Sequence, residues 1–191
     1  MGKRTIALAL LLGFAPTAAN MAAPVARWSF DGGAGLRIEA RGELGHDQPG
    51  PRPPEFPRFA DDNMAVRFDG NGARYFLDDP GEGSEFDFTN GDSITLEAWL
   101  DVAELGEGEN RYVIGKGRTH RDGFPRDNQN WALRIRGVDG MAHVSFLFAS
   151  QPEGGSKVWH RWISSDGFYP GSGWHHVAVT YTFGKPDSAV A

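Results

Sequence analysis

Gly173-Trp174-His175-His176-Val177-Ala178-Val179-Thr180-Tyr181-Thr182-Phe183 is dense in β-branched and aromatic residues and follows the turn Pro170-Gly171-Ser172-Gly173. That combination predicts a strand entering the middle of a sheet. Successive side chains of a strand point to opposite sides, so Val177, Val179, Tyr181 and Phe183 share one face and His176, Ala178, Thr180 and Thr182 the other. Both faces are only mildly polar. The expectation is a strand covered on both sides, as where two sheets pack face to face.

The rest of the chain fits that reading. Among 191 residues there are 26 glycines and 12 prolines, with aromatics at 12%, which favours short strands joined by tight turns and an all-β fold. A formal net charge of -6 offers no basic field for nucleic acid or an anionic membrane. With no cysteine there are no disulfides, no thiolate metal site and no lipoprotein anchor.

Residues 1–23 read as a signal peptide and short leader. Lys3 and Arg4 form a positive head, residues 5–14 an apolar run too short to span a bilayer, and Thr17-Ala18-Ala19 a small-residue cleavage site, with cleavage expected after Ala19. The alternative is a buried apolar helix. Export to the cell envelope, the periplasm or the exterior follows from the first reading, with a mature domain over residues 24–191 that has no membrane span.

Along that domain, period-two patterning predicts strands at 26–30, 64–68, 74–77, 93–100, 111–116, 131–136, 143–149 and 157–163. The clearest is Ser93-Ile94-Thr95-Leu96-Glu97-Ala98-Trp99-Leu100, with Ile94, Leu96, Ala98 and Leu100 on the core face and Thr95, Glu97 and Trp99 opposite. Residues 41–58, rich in Gly, Pro and charge, predict a surface loop without regular structure, and residues 117–130 a polar loop. No stretch reads as an amphipathic helix of twelve residues.

Several segments together resemble the laminin-G-like domains of the concanavalin A-like lectin/glucanase superfamily. They are Trp28-Ser29-Phe30-Asp31, Ala65-Val66-Arg67-Phe68-Asp69-Gly70, Ser93-Ile94-Thr95-Leu96-Glu97-Ala98-Trp99, Val113-Ile114-Gly115-Lys116-Gly117 and Trp174-His175-His176-Val177-Ala178-Val179-Thr180-Tyr181. The resemblance implies a jelly-roll β-sandwich of two curved antiparallel sheets, in a family whose members mostly bind glycans or protein surfaces within larger secreted proteins. Family members continue past the last of these strands into a hairpin, where this chain ends at Lys185-Pro186-Asp187-Ser188-Ala189-Val190-Ala191. The expectation is therefore a fragment whose sandwich lacks its last strands and leaves an open edge.

The superfamily also contains glycoside hydrolases, which use paired carboxyls about 5 Å apart, in related enzymes as Glu-x-Asp-x-x-Glu. The near match Glu85-Phe86-Asp87-Phe88-Thr89-Asn90 has Asn where the proton donor should be, so it reads as a surface turn. Glu97 beside Trp99 offers a hydrogen-bond acceptor next to a stacking platform for carbohydrate, or else two framework residues with Trp99 packed under a loop. His175 and His176 fall on opposite faces and cannot ligate one ion together. Calcium is a candidate cofactor, with Asp31, Asp69, Asn71, Asp122, Asp127 and Asn128 as loop ligands or, alternatively, turn formers. Among the aromatics near loops, Trp159, Trp162 and Tyr169 are candidate ligand platforms, while Trp131 and Phe168 read as core.

The function expected is a non-catalytic secreted binding module for a glycan or an envelope or extracellular protein. The alternatives are a structural spacer within a larger envelope protein and a glycosidase relative.

Overall fold

The computed structural model describes residues 24–30, 38–117, 130–151 and 153–191. The described part is all-β. Its ten strands are β1 (Glu39–Arg41), β2 (Leu44–Pro49), β3 (Met64–Phe68), β4 (Arg74–Phe76), β5 (Ser93–Asp101), β6 (Asn110–Lys116), β7 (Trp131–Val138), β8 (Met141–Ser150), β9 (Val158–Phe168) and β10 (Trp174–Thr182), followed by a 3-10 turn at Pro186–Ser188. All strand pairs are antiparallel. Strands β6-β7-β8-β9 form one four-stranded sheet in chain order, and β5-β10, β1-β4 and β2-β3 form two-stranded ribbons. No described helix is long and apolar enough to cross a membrane.

One apolar core joins the four-stranded sheet to the β5-β10 ribbon. From the ribbon come Ile94, Leu96, Val177, Val179, Tyr181 and Phe183, and from the sheet Leu133, Ile135, Val144, Phe146 and Phe148. The faces of β5 and β10 follow their period of two. Val177, Val179, Tyr181 and Phe183 are buried, with Ile94 and Leu96 beside them. The opposite face of β10 departs from the expectation of cover on both sides: His176 and Thr180 are exposed there, and Ala178 and Thr182 half-buried.

The β7-β8 hairpin turns through Asp139 and Gly140, whose φ values of 52° and 76° are those of a two-residue turn with the same right-handed twist as its strands. Pairing runs from Trp131 opposite Phe148 to Val138 opposite Met141. At its far end β9 continues five residues beyond the expected strand, through Ser164-Ser165-Asp166-Gly167 to Phe168. These polar residues hide the strand in the sequence. A register shift makes room for them: Ser164 Oγ accepts from the Val144 amide at 3.0 Å and donates to the Asp166 carbonyl at 2.6 Å, replacing ladder bonds with side-chain ones.

Three other expectations are corrected. Residues 26–30 form no strand, although the Phe30 ring stacks on Tyr75 at 5.5 Å. The stretch 41–58 is not free of regular structure, since β2 and the end of β1 lie there. Neither has an alternating apolar pattern: β1 is exposed throughout, and β2 reads Leu-Gly-His-Asp-Gln-Pro with Asp47 at φ 55°. Backbone pairing with β4 and β3 makes them strands, a long-range effect that local patterning does not carry. Finally, the free edge of β10 is partly covered. Thr180 exchanges two backbone hydrogen bonds with Val190 at 2.9 and 3.1 Å, and Ser188 Oγ accepts from the Thr182 amide at 2.8 Å.

Candidate ligand-binding face

Alternation sends Leu133, Ile135, Val144, Phe146 and Phe148 inward, so Ala132, Arg134 and Arg136 of β7 and His143, Ser145 and Leu147 of β8 share the opposite face of the four-stranded sheet. The register aligns them with the neighbouring strands. One row runs Tyr112, Arg134, Ser145, Ile163, the next brings Leu147 opposite Arg161, and a third sets Arg136 opposite His143 and Gly167. Ala149 pairs with Trp159 at the end.

The floor of this face is buried and its rim is open. Ala132, Ser145, Leu147, Arg134 and His143 are 0 to 6% exposed, whereas Tyr112, Trp159 and Ile163 are 41 to 47% exposed. Arg134 donates through Nη2 to Ser145 Oγ at 3.0 Å, and its guanidinium carbon lies 5.7 Å from the centre of the Tyr112 ring. Its Nε is enclosed and has no partner among the described residues, while the guanidinium also hydrogen-bonds with Tyr112. Burial pulls its pKa down; Tyr112 opposes this, while the charges of Arg161 and Arg136 add to it. Among the described residues no carboxylate pairs with Arg134, and Arg136 reaches only the Gly108 carbonyl and Asn110 Oδ1. In a chain of net charge -6, three arginines converge on one sheet face.

The structure separates the candidate residues read from sequence. Trp159 stands on this face, exposed, with Lys157 Nζ 6.0 Å from its ring centre. Trp162 points the other way, packing at 4.7 Å from Tyr181 and 5.7 Å from Phe148, so it belongs to the core and not to a platform. Tyr169 is 68% exposed in the turn after β9, where its carbonyl accepts from Ser172. Glu97 and Trp99 do lie together, on the outer face of the β5-β10 ribbon. There Trp99 stays 36% exposed with Phe56 and Phe59 edge-on to it at 5.2 and 5.1 Å, and the exposed Glu97 lies 3.3 Å from His176. His175 has separate partners, stacking on Phe168 at 4.1 Å and bonding Ser172 Oγ at 2.8 Å.

The face built around Arg134 was not among the sites read from sequence. Its only signal there is the Arg-x-Arg of β7, whose alternation sets both arginines on the face away from Leu133 and Ile135. Which strands lie beside it cannot be read locally.

Of the calcium candidates, Asp69 accepts the Asn71 amide at 2.8 Å in a turn, and Asp31, Asp122, Asp127 and Asn128 lie outside the described residues. No group of three or more histidines or carboxylates that could hold a metal ion occurs among the described residues.

Residues 86–90 line a cavity of about 310 Å³ together with Asn130, Trp131, Phe148, Ala149, Ser150 and Phe183. Glu85 is exposed, while Asp87 is held by Lys116 Nζ at 2.5 Å and by the amide and hydroxyl of Ser84. Lys116 also pairs with Asp79 at 3.1 Å. The hydrogen bond from Lys116 holds the Asp87 carboxyl below its ordinary range, with burial opposing and the lysine charge adding. For Lys116, burial pulls downward but the bonds and charges of Asp87 and Asp79 outweigh it, and its pKa is raised.

The Asp87 contribution is therefore present above the ordinary carboxyl pKa of about 3.9 and lost as pH falls through the lowered folded value. The Lys116 contribution is present below about 10.4 and lost as pH rises through the raised folded value. Lys116→Met is expected to lower stability by ~1 kcal/mol, uniformly between about pH 5 and pH 9, since Asp87 loses its lysine partner and keeps only the Ser84 bonds and water. The difference from the parent protein shrinks below about pH 4. Urea unfolding across that range measures it; a loss that does not shrink in acid assigns the effect to packing.

Comparison with family models, with curated proteins and with solved structures returns no match for this chain.

Proposed function

We propose that the chain is a non-catalytic binding module of the laminin-G-like kind, exported by its N-terminal segment and recognising carbohydrate on the outer face of the four-stranded sheet. In this reading the antiparallel sheets form a jelly-roll sandwich, and residues 1–23 are the export signal. The observation that carries it is the pairing of exposed flat rings, Trp159 and Tyr112, with a buried polar floor of Arg134, Ser145 and His143. Aromatic faces stack on sugar rings, and fixed polar groups beneath them select hydroxyls and charges. Hydrolysis is disfavoured because Asp87 is engaged by Lys116 and Ser84, and Asn90 replaces a proton donor.

A glycan array probed with the full chain tests this. Expected are hits in one class of oligosaccharide, weakened about tenfold by Trp159→Ala, equivalent to ~1.4 kcal/mol of stacking. If nothing on the array or in isolated envelope polymer is bound, the chain is a structural spacer. Release of reducing sugar from a β-glucan that is lost on Glu85→Gln would instead make it a hydrolase.

A further inference from the structure

We infer that the cavity at one end of the core is a site for a small organic cation, a methylated ammonium of the kind choline carries. The core closes in its middle and opens at this end. Leu133, Phe146 and Val179 are 0 to 1% exposed, whereas Trp131, Phe148 and Phe183, which line the cavity, are 7 to 8% exposed. Trp131 starts β7 opposite Phe148 near the end of β8, Phe183 follows β10 and Phe88 precedes β5, so four rings from distant parts of the chain converge there. Phe88 stacks on Phe183 at 5.3 Å and meets Trp131 edge-on at 6.2 Å, and Trp131 Nε1 donates to the Phe86 carbonyl at 2.9 Å. The rings are fixed before any ligand arrives, which removes much of the ordering cost of binding. At about 310 Å³ the space is at the small end of ligand pockets and holds one small molecule.

The charges around the cavity select its ligand. No lysine, arginine or histidine lines it, and its one ionisable wall group is Asp87. Lys116 bridges Asp87 to Asp79, and two carboxylates on one ammonium leave that trio with a net negative charge. An anion would meet repulsion and find no cationic partner. An organic cation meets a negative field and aromatic rings, whose faces are themselves negative. A long acyl chain does not suit the site, since exposed Thr89, Asn90, Asn130 and Ser150 make its mouth polar. Thr89 Oγ1 is held by Asp92 and Ser150 Oγ by His160. The Asn90 and Asn130 carboxamides make no hydrogen bond among the described residues, which leaves them to bond a hydroxyl on the far end of the cation.

The test is calorimetry of the full chain at low salt with choline and with dimethylbutanol, its neutral isostere in which carbon replaces the nitrogen. Choline is expected to bind about tenfold more tightly. Phe88→Leu keeps an apolar side chain and loses the ring; it is expected to weaken choline about fivefold and to leave the isostere within about twofold. Asn90→Ala combined with Asn130→Ala is expected to weaken choline about threefold while leaving tetramethylammonium, which has no hydroxyl, unchanged. Should Phe88→Leu not fold, this second variant decides, since both of its positions are exposed. No binding of choline at about 10 mM, or an affinity no better than that of the isostere, overturns the cation site. Choline affinity unchanged in a folded variant of either kind also overturns it, because the cation would then sit elsewhere. The cavity is separate from the sheet face proposed for glycan, so neither result bears on the other.

Discussion

Phe146→Ala is expected to destabilise the protein by ~4 kcal/mol, the largest effect of any single core truncation in the described structure. Phe146 is 1% exposed at the centre of β8. Its ring lies 5.4 Å from Tyr181 on β10 and 6.1 Å from both Phe148 and Trp162 on the four-stranded sheet. It is therefore one of the rings through which the two sheets touch. Removing it loses the transfer free energy of the ring and leaves a cavity whose walls belong to separate strands, so collapse around the gap is limited. For a chain of this size the change corresponds to a fall of roughly 10 °C in the melting midpoint. A fall under about 3 °C in calorimetry would mean that the two sheets do not share this core.

Gly137→Ala is expected to cost ~3 kcal/mol for a different reason, overpacking against backbone. A Cβ on Gly137 would stand 2.1 Å from the carbonyl oxygen of Gly106, and the obstacle cannot rotate away as a side chain could. The φ of Gly137 is not in the left-handed region, so the demand for glycine here comes from close approach alone. Two hydrogen bonds hold the approach: the Gly108 amide donates to the Gly137 carbonyl at 2.9 Å, and the Gly137 amide donates to the Glu109 carbonyl at 3.0 Å. Relieving the clash pushes the segment 105–109 off β7 and loses one or both, each worth ~1 kcal/mol. Backbone hydrogen exchange should report faster exchange at Gly108 and Gly137, alongside a lower unfolding midpoint. Unchanged protection at both amides would show that the segment tolerates the methyl group.

The contrast between these two positions illustrates what patterning conveys. Phe146 lies in an apolar run that already reads as a buried strand. Gly137 looks like any turn glycine, and its need for a bare backbone arises from a loop thirty residues earlier. The candidate site divides in the same way. Trp159 and Trp162 are three residues apart in one strand and look alike as aromatics near a loop. Alternation sends one to the open face and the other against Tyr181, and β9 had to be placed before the direction of either was known. Glu97 and Trp99 share the exposed face of β5, as alternation requires, and each approaches His176 of β10. Phe56, from the stretch 41–58 expected to lack regular structure, and Phe59 just beyond it pack edge-on against the indole, which stays 36% exposed.

By itself the sequence determined the all-β class and the inward faces of β5 and β10, because a strand with one buried face must repeat its apolar residues every second position. It determined that β7 and β8 are strands, because their apolar runs are bounded by turn residues. The tertiary structure alone decided the partners of β1 and β2, the extension of β9 through a polar bulge, and the meeting of Arg134 with Tyr112, Ser145 and Arg161. Those outcomes depend on register between strands distant in the chain. Hydrogen bonding between backbones sets that register, and no local pattern of side chains encodes which residues it will place side by side.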